Sequence, residues 1–169
     1  MSLSLYDASV PGMLRGLRAL SGFLDKAEAH ALETGGDLAA YSEARLAPDM
    51  APFNRQIQMA SDGAKSAVAR LAGVEAPVFP DVEVSFPDLK ARIAKTIAYL
   101  ETFKREQIDG DAERIIEMKL PSRTLTFTAR DFLFNFGLTN FMFHVVTAYG
   151  LLRAQGVPLG KADFLAGAL

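Results

Sequence analysis

From Phe132 to Leu152 the chain reads FLFNFGLTNFMFHVVTAYGLL, with no formally charged side chain, Asp131 before it and Arg153 after it. Five of the twelve phenylalanines fall in this one stretch. Its length approaches the roughly 20 apolar residues that cross a bilayer. Asn135, Asn140, His144 and Thr147 interrupt it, however, and polar side chains facing lipid are costly. The stretch therefore reads as a helix that other helices surround. Because it is apolar nearly all round, it must be covered on most of its sides.

The rest of the chain supplies the covering. Val10, Met13, Leu17, Leu20, Leu24, Ala27 and Ala31 recur at alternating gaps of three and four, which is the seam of a packed helix. Asp7 is read as its N-cap, Pro11 is expected to bend its start, and Gly35-Gly36 ends it. Asp37 to Ala44 then forms a short connecting helix. A second seam runs through Phe53, Ile57, Ala60, Ala64, Ala67 and Leu71, with Asp49 as the expected cap and Pro52 in the first turn. A third runs through Leu89, Ile93, Thr96, Leu100 and Phe103, opened by a capping box at Ser85-Phe86-Pro87-Asp88.

Between the second and third helices, VEAPVFPDVEVSFPD holds three prolines and reads as a long surface crossover. After Asp109-Gly110-Asp111 the period changes from helical to alternating. Ile116, Met118 and Leu120 alternate, Pro121-Ser122 turns the chain, and Leu125 and Phe127 alternate again, which predicts a short hairpin. Thr128 and Asp131 open the last long helix, and Gly156 with Pro158 stops it. A short C-terminal helix is predicted over 161–166, packing Phe164 and Leu165 on the body. The sum is an all-α four-helix bundle, one domain over 1–169, with a long crossover between helices two and three and a small β-hairpin before helix four.

Composition closes off several functions. A net charge of −2 and a pI near 5.7, with acidic and basic residues interleaved, leave no basic stripe to follow nucleic-acid phosphates. The absence of cysteine removes disulfides, thiolate nucleophiles and cysteine metal sites. The first twenty residues lack a basic segment followed by an apolar run, so no signal peptide is read there, and a cytoplasmic protein without membrane attachment is expected. No phosphate-binding loop, GxGxxG, GxSxG or HExxH occurs.

On a wheel of 3.6 residues per turn, Leu133, Gly137, Asn140, His144, Thr147, Ala148 and Leu151 share one face of the last helix. Asn140 and His144 stand one turn apart and can converge on one point. Phe134, Phe136, Phe141 and Phe143 flank this notch, and a polar pocket with aromatic walls suits a small molecule. A buried Asn–His pair that only specifies packing is the other reading of the same residues. From helix two, Gln56 lies about 50° from the centre of its seam, while Asp62 points nearly opposite it although it better matches His144 in height. Face outweighs height, so Gln56, Asn140 and His144 are the candidate ligand-binding residues. If helices one and four run antiparallel, His30 lies about 18 Å from His144 along the axis, too far to share an ion, and is a surface or boundary residue.

Three runs carry a family resemblance: SLYDASVPGMLRGLRALSGFLDKAEAHA, RLAPDMAPFNRQIQMASDGAKSAVARLAG and NFMFHVVTAYGLLRAQGVPLGKADFL. They resemble a bacterial family of unknown function grouped with the DinB/YfiT-like superfamily. The resemblance implies a four-helix bundle, frequently a homodimer. Many superfamily members bind a divalent metal through one histidine on helix two and an HxxxH pair on helix four, and some are thiol-dependent transferases or isomerases. Here the pair reads Asn140-Phe-Met-Phe-His144, and Met50 to Leu71 holds no histidine. No metal and no other cofactor is therefore expected; a small-molecule-binding or structural dimer comes first, a transferase-type or metal-dependent enzyme using His144 second.

Overall fold

The computed structural model describes residues 4–120 and 122–165. Most of them are helical: α1 (Leu5–Thr34), α2 (Leu38–Glu43), α3 (Phe53–Leu71), α4 (Phe86–Glu101), α5 (Arg105–Ile108), α6 (Ala129–Phe132), α7 (Leu138–Ala154) and α8 (Lys161–Phe164). Leu133–Gly137 joins α6 to α7 as a π turn, so the fourth long helix runs from Ala129 to Ala154. Strands β1 (Ile115–Lys119) and β2 (Thr124–Thr128) form a two-stranded antiparallel sheet. Among the described residues no helix is long and apolar enough to cross a membrane.

Every seam residue expected on the first three long helices is buried. The helix starts differ from expectation in two places. Ser4, not Asp7, caps α1: its Oγ accepts the Asp7 N–H at 3.0 Å and donates to Asp109 Oδ1 at 2.9 Å. Asp7 instead pairs with Arg105, 2.5 Å away, and the hydrogen bond from that guanidinium holds its carboxyl below the ordinary range. The α1 helix runs through Pro11. On α3 the cap position is Pro52, without a side-chain bond, and Asp49 is exposed in the preceding turn. The Phe53 N–H is satisfied by the Ala44 carbonyl at 3.0 Å, so the chain itself performs the capping. Ser85 and Asp88 do form the reciprocal capping box of α4.

The contacts fix the helix directions. Gly16 approaches Phe141, Phe23 meets Tyr149 with ring centroids 5.6 Å apart, and His30 lies beside Gly156, so α1 and α7 run the same way. This corrects the antiparallel assumption. His30 sits level with Gly156, still twelve residues and about 18 Å from His144. Arg18 pairs with Glu101 and Lys90 with Asp25, so α4 opposes α1. Phe53 packs on Phe86 and Ser61 Oγ lies 2.6 Å from Thr96 Oγ1, so α3 and α4 run parallel. Two successive parallel helices need a connection that returns along their length, and residues 72–85 provide it.

The hairpin register pairs Ile116 with Phe127 and Met118 with Leu125. Ile116 and Met118 are buried, but Leu120 lies outside the strand and is exposed, because the turn begins there with the Leu120 N–H on the Arg123 carbonyl. Phe127 carries the hairpin onto the fourth long helix, its ring 6.0 Å from Phe132 and 6.1 Å from Phe136. At the other end Phe164 of α8 contacts Phe23 and Tyr149. Ala166, assigned to the last helix by sequence, is outside the described residues.

Candidate functional site

The fourth long helix starts where Thr128 Oγ1 accepts the Asp131 N–H at 3.0 Å. Its π turn carries an extra residue and rotates the helix after it relative to the helix before it. At the end of that turn, a Cβ on Gly137 would lie 3.4 Å from the Ala67 Cβ, so α3 and the helix touch. Further along, a Cβ on Gly63 would lie 3.2 Å from Asn140 Nδ2. The small residues of α3 thus bring its backbone directly under Asn140.

His144 follows one turn later and is only 9% exposed. Its Nδ1 lies 2.8 Å from Gln56 Oε1, while Gln56 Nε2 donates to the Ala51 carbonyl at 2.9 Å. The second bond decides the orientation of the amide, since a carbonyl accepts only from the NH₂ end. Oε1 therefore faces the imidazole, Nδ1 carries the proton and donates, and Nε2 keeps its lone pair. Burial disfavours the imidazolium and pushes the His144 pKa down from 6.5. Nε2 has no protein partner among the described residues and is not sealed from water. The ring is edge-on to Phe143, centroids 5.3 Å apart, and Phe143 is 56% exposed.

Gln56 and His144 are thus brought together. Asn140 sits half-buried over Gly63 and makes no side-chain hydrogen bond among the described residues. Asp62 lies elsewhere: Oδ1 is 2.8 Å from Lys65 Nζ and 3.0 Å from Arg92 Nη2. The pairs Gln56–His144, Gly63–Asn140 and Ala67–Gly137 show α3 opposing α7. His30 stacks on Tyr41, ring centroids 6.5 Å apart, at the boundary position expected of it.

The donor set does not fit the three-histidine metal site of the superfamily. Of the notch residues only His144 is an imidazole, Asn140 offers a neutral amide, and Gln56 already spends both ends of its amide. Among the described residues no group of three or more His, Cys, Asp or Glu side chains is placed to hold a metal ion.

One charged cluster escaped the sequence reading. Arg92 is buried on α4, its Nη1 3.0 Å from Glu83 Oε1 and 3.0 Å from Asp81 Oδ1. Gln58 Nε2 donates to Glu83 Oε2 at 2.8 Å. Burial pushes the Glu83 carboxyl up, but the hydrogen bonds from Gln58, its own backbone and Arg92, with the Arg92 charge, outweigh it and hold the pKa below 4.5. Nearby, Lys65 and Lys95 each lie 4.1 Å from the Phe79 ring centroid. This cluster ties the 72–85 connection to α3 and α4. The available signal was spacing: Arg92 is three residues after Leu89 and four before Thr96, at the edge of the buried seam.

Residues 5–165 match a protein family described as a domain of unknown function, DUF1993. Among solved structures the chain is similar to a DinB family member protein from Shewanella denitrificans. The two are 37% identical, with a TM-score of 0.89, over 96% of this chain and 92% of that one. No curated protein matches.

Proposed function

The chain belongs to the DUF1993 family of domains of unknown function, and from that premise we propose that it is a DinB-like four-helix bundle that binds a small molecule, without metal, at the notch of Gln56, Asn140 and His144. The observation that carries this reading is the imidazole: a neutral ring in one tautomer, with the Nε2 lone pair left for a donor. The half-buried Asn140 amide one turn away adds a donor and an acceptor, and Phe143 supplies an apolar wall. The preceding π turn supports the reading, since such turns recur at functional sites.

The test exploits the presence of only two histidines, His30 and His144. Imidazole ¹⁵N spectra of the full chain, recorded against a library of small hydrogen-bond donors, are expected to yield binders that move His144 and leave His30 in place. A library in which every binder moves both, or acts equally on a His144→Phe variant, overturns the site. Near-stoichiometric zinc or nickel in tag-free protein, lost on His144→Ala, overturns the metal-free reading.

The same helix leaves Phe134, Met142, Phe143 and Val146 exposed. A homodimer that covers this stripe would also roof the notch. Light scattering is expected to give twice the mass of one chain, falling to a single chain in Val146→Glu; a concentration-independent monomer refutes the dimer.

A second reading, a transferase-type enzyme, rests on the same lone pair. A neutral imidazole with a fixed tautomer and an unpaired Nε2 lone pair is what general-base catalysis on a small nucleophile requires. It predicts that His144→Ala removes turnover while Asn140→Ala slows it; equal activity in both variants and the parent excludes it.

A further inference from the structure

Away from the notch, a cleft of about 200 Å³ opens between α1, the fourth long helix and α8. Its floor is backbone, because Gly12 and Gly16 of α1 bear no side chains there. Leu138, Phe141 and Met142 form one wall and Phe164 with Leu165 the other. Arg15 stands at the rim. Among the described residues its guanidinium makes no hydrogen bond and no ion pair, whereas its neighbours Arg18 and Lys26 are committed to Glu101 and Asp163.

The two glycines differ in their reasons. Glycine inside a helix costs about 1 kcal/mol relative to alanine. At Gly16 packing explains it, since a Cβ would come within 2.7 Å of the Phe141 ring. At Gly12 packing does not: a Cβ would meet only Arg15 Nη2, at 3.8 Å. A side chain at residue 12 would fit the helix and fill the cleft; glycine leaves it open.

An apolar trough whose rim carries one planar cation, without a partner among the described residues, has a specific complement. We propose that the cleft binds a small amphipathic monocarboxylate, its carboxylate paired with Arg15 and its hydrocarbon lying on Gly12, Met142 and Phe164. A guanidinium presents parallel N–H donors that match a carboxylate edge, and a single cation matches a single charge. The volume suits a chain of roughly six to eight methylene-sized groups, taking each as close to the ~30 Å³ of a water.

Sodium octanoate and octan-1-ol, titrated into the full chain and followed by amide chemical shifts and calorimetry, test this. Octanoate is expected to bind saturably, moving Gly12 and Gly16 and leaving His144 unmoved, which separates this cleft from the notch. From butanoate upward each methylene tightens binding about fourfold until the cleft is full. Arg15→Ala is expected to weaken octanoate about tenfold, to the level of octanol. Gly12→Leu fills the cleft and is expected to abolish binding while leaving the melting temperature equal to or above that of the parent. Equal affinity for acid and alcohol in the parent, undiminished octanoate binding in folded Gly12→Leu, or no saturable binding at millimolar octanoate each overturns the proposal. Should Gly12→Leu fail to fold, the acid-to-alcohol ratio in Arg15→Ala decides alone.

Discussion

Replacing Gln56 with leucine tests the centre of the notch, because this one amide sets the state of His144. Leucine nearly matches glutamine in size, so the packing of α3 on α7 is kept. What changes is hydrogen bonding: His144 Nδ1–H loses its acceptor and the Ala51 carbonyl loses its donor. Ala51 is half-buried, so water replaces the lost donor there. The Nδ1 proton, beneath a residue that is 9% exposed, is left unsatisfied. An orphaned buried donor costs about 1–3 kcal/mol. Burying leucine returns part of that, leaving a loss of about 1–2 kcal/mol. For a chain of 169 residues this lowers the melting temperature by roughly 3–8 °C.

Two measurements check the argument. In long-range ¹H–¹⁵N spectra of the parent, His144 should show a protonated Nδ1 and an unprotonated Nε2; in Gln56→Leu the ring should become a mixture of tautomers. The His144 pKa should also fall further, because the lost amide oxygen favours the imidazolium over the neutral ring. An Nε2–H tautomer in the parent, or a thermally neutral Gln56→Leu, would refute the reasoning, since the amide orientation would then not govern the ring.

Other perturbations follow from the same contacts. Arg92→Met removes the cation from Glu83, Asp81 and Asp62; only Glu83 is then left with a poorly solvated charge, so urea unfolding should show a loss of about 2–3 kcal/mol, at the low end for a broken buried pair. An unchanged midpoint would mean the cluster does not hold the 72–85 connection. Ser85→Ala deletes one arm of the α4 capping box and should cost about 1 kcal/mol in the same assay, with no effect on the His144 spectrum. Because the His144 pKa is lowered on folding, the unfolded chain binds more protons as pH drops below 6.5. Stability should therefore fall from pH 6.5 down through the folded pKa and then level off, and His144→Gln should flatten that segment of the melting curve against pH.

How much of this could be read in advance depends on the range of the interaction. The three-four seams are local periodicities, and each residue from Val10 to Ala31, Phe53 to Leu71 and Leu89 to Phe103 named for its seam is buried. The capping box at Ser85 was legible because both of its partners lie within four residues. Asp7 and Asp49 misled as caps because their competitors act from outside the local window: Arg105 draws Asp7 away, and the Ala44 carbonyl satisfies the start of α3. The mutual direction of α1 and α7 is a property of the whole topology, and no spacing within either helix encodes it.

The notch shows where that boundary falls. Helix face pointed to Gln56 rather than Asp62, and Gln56 is the residue that meets His144, because angular position on α3 is local and the Arg92 charge holds Asp62 on another face. Judging by height failed, because it required the relative register of two helices distant in sequence. That register depends on a π turn at Leu133–Gly137 and a helix start at Phe53, neither of which a uniform 3.6-residue wheel includes. The flanking phenylalanines divide accordingly. Phe141 is fully buried against Gly16, whereas Phe143 is exposed beside His144. Gly16 lies far away in sequence, so only the fold reveals which ring it accepts; the same fold leaves Gly12 open one turn earlier, turning a packing residue's neighbour into the floor of a cleft.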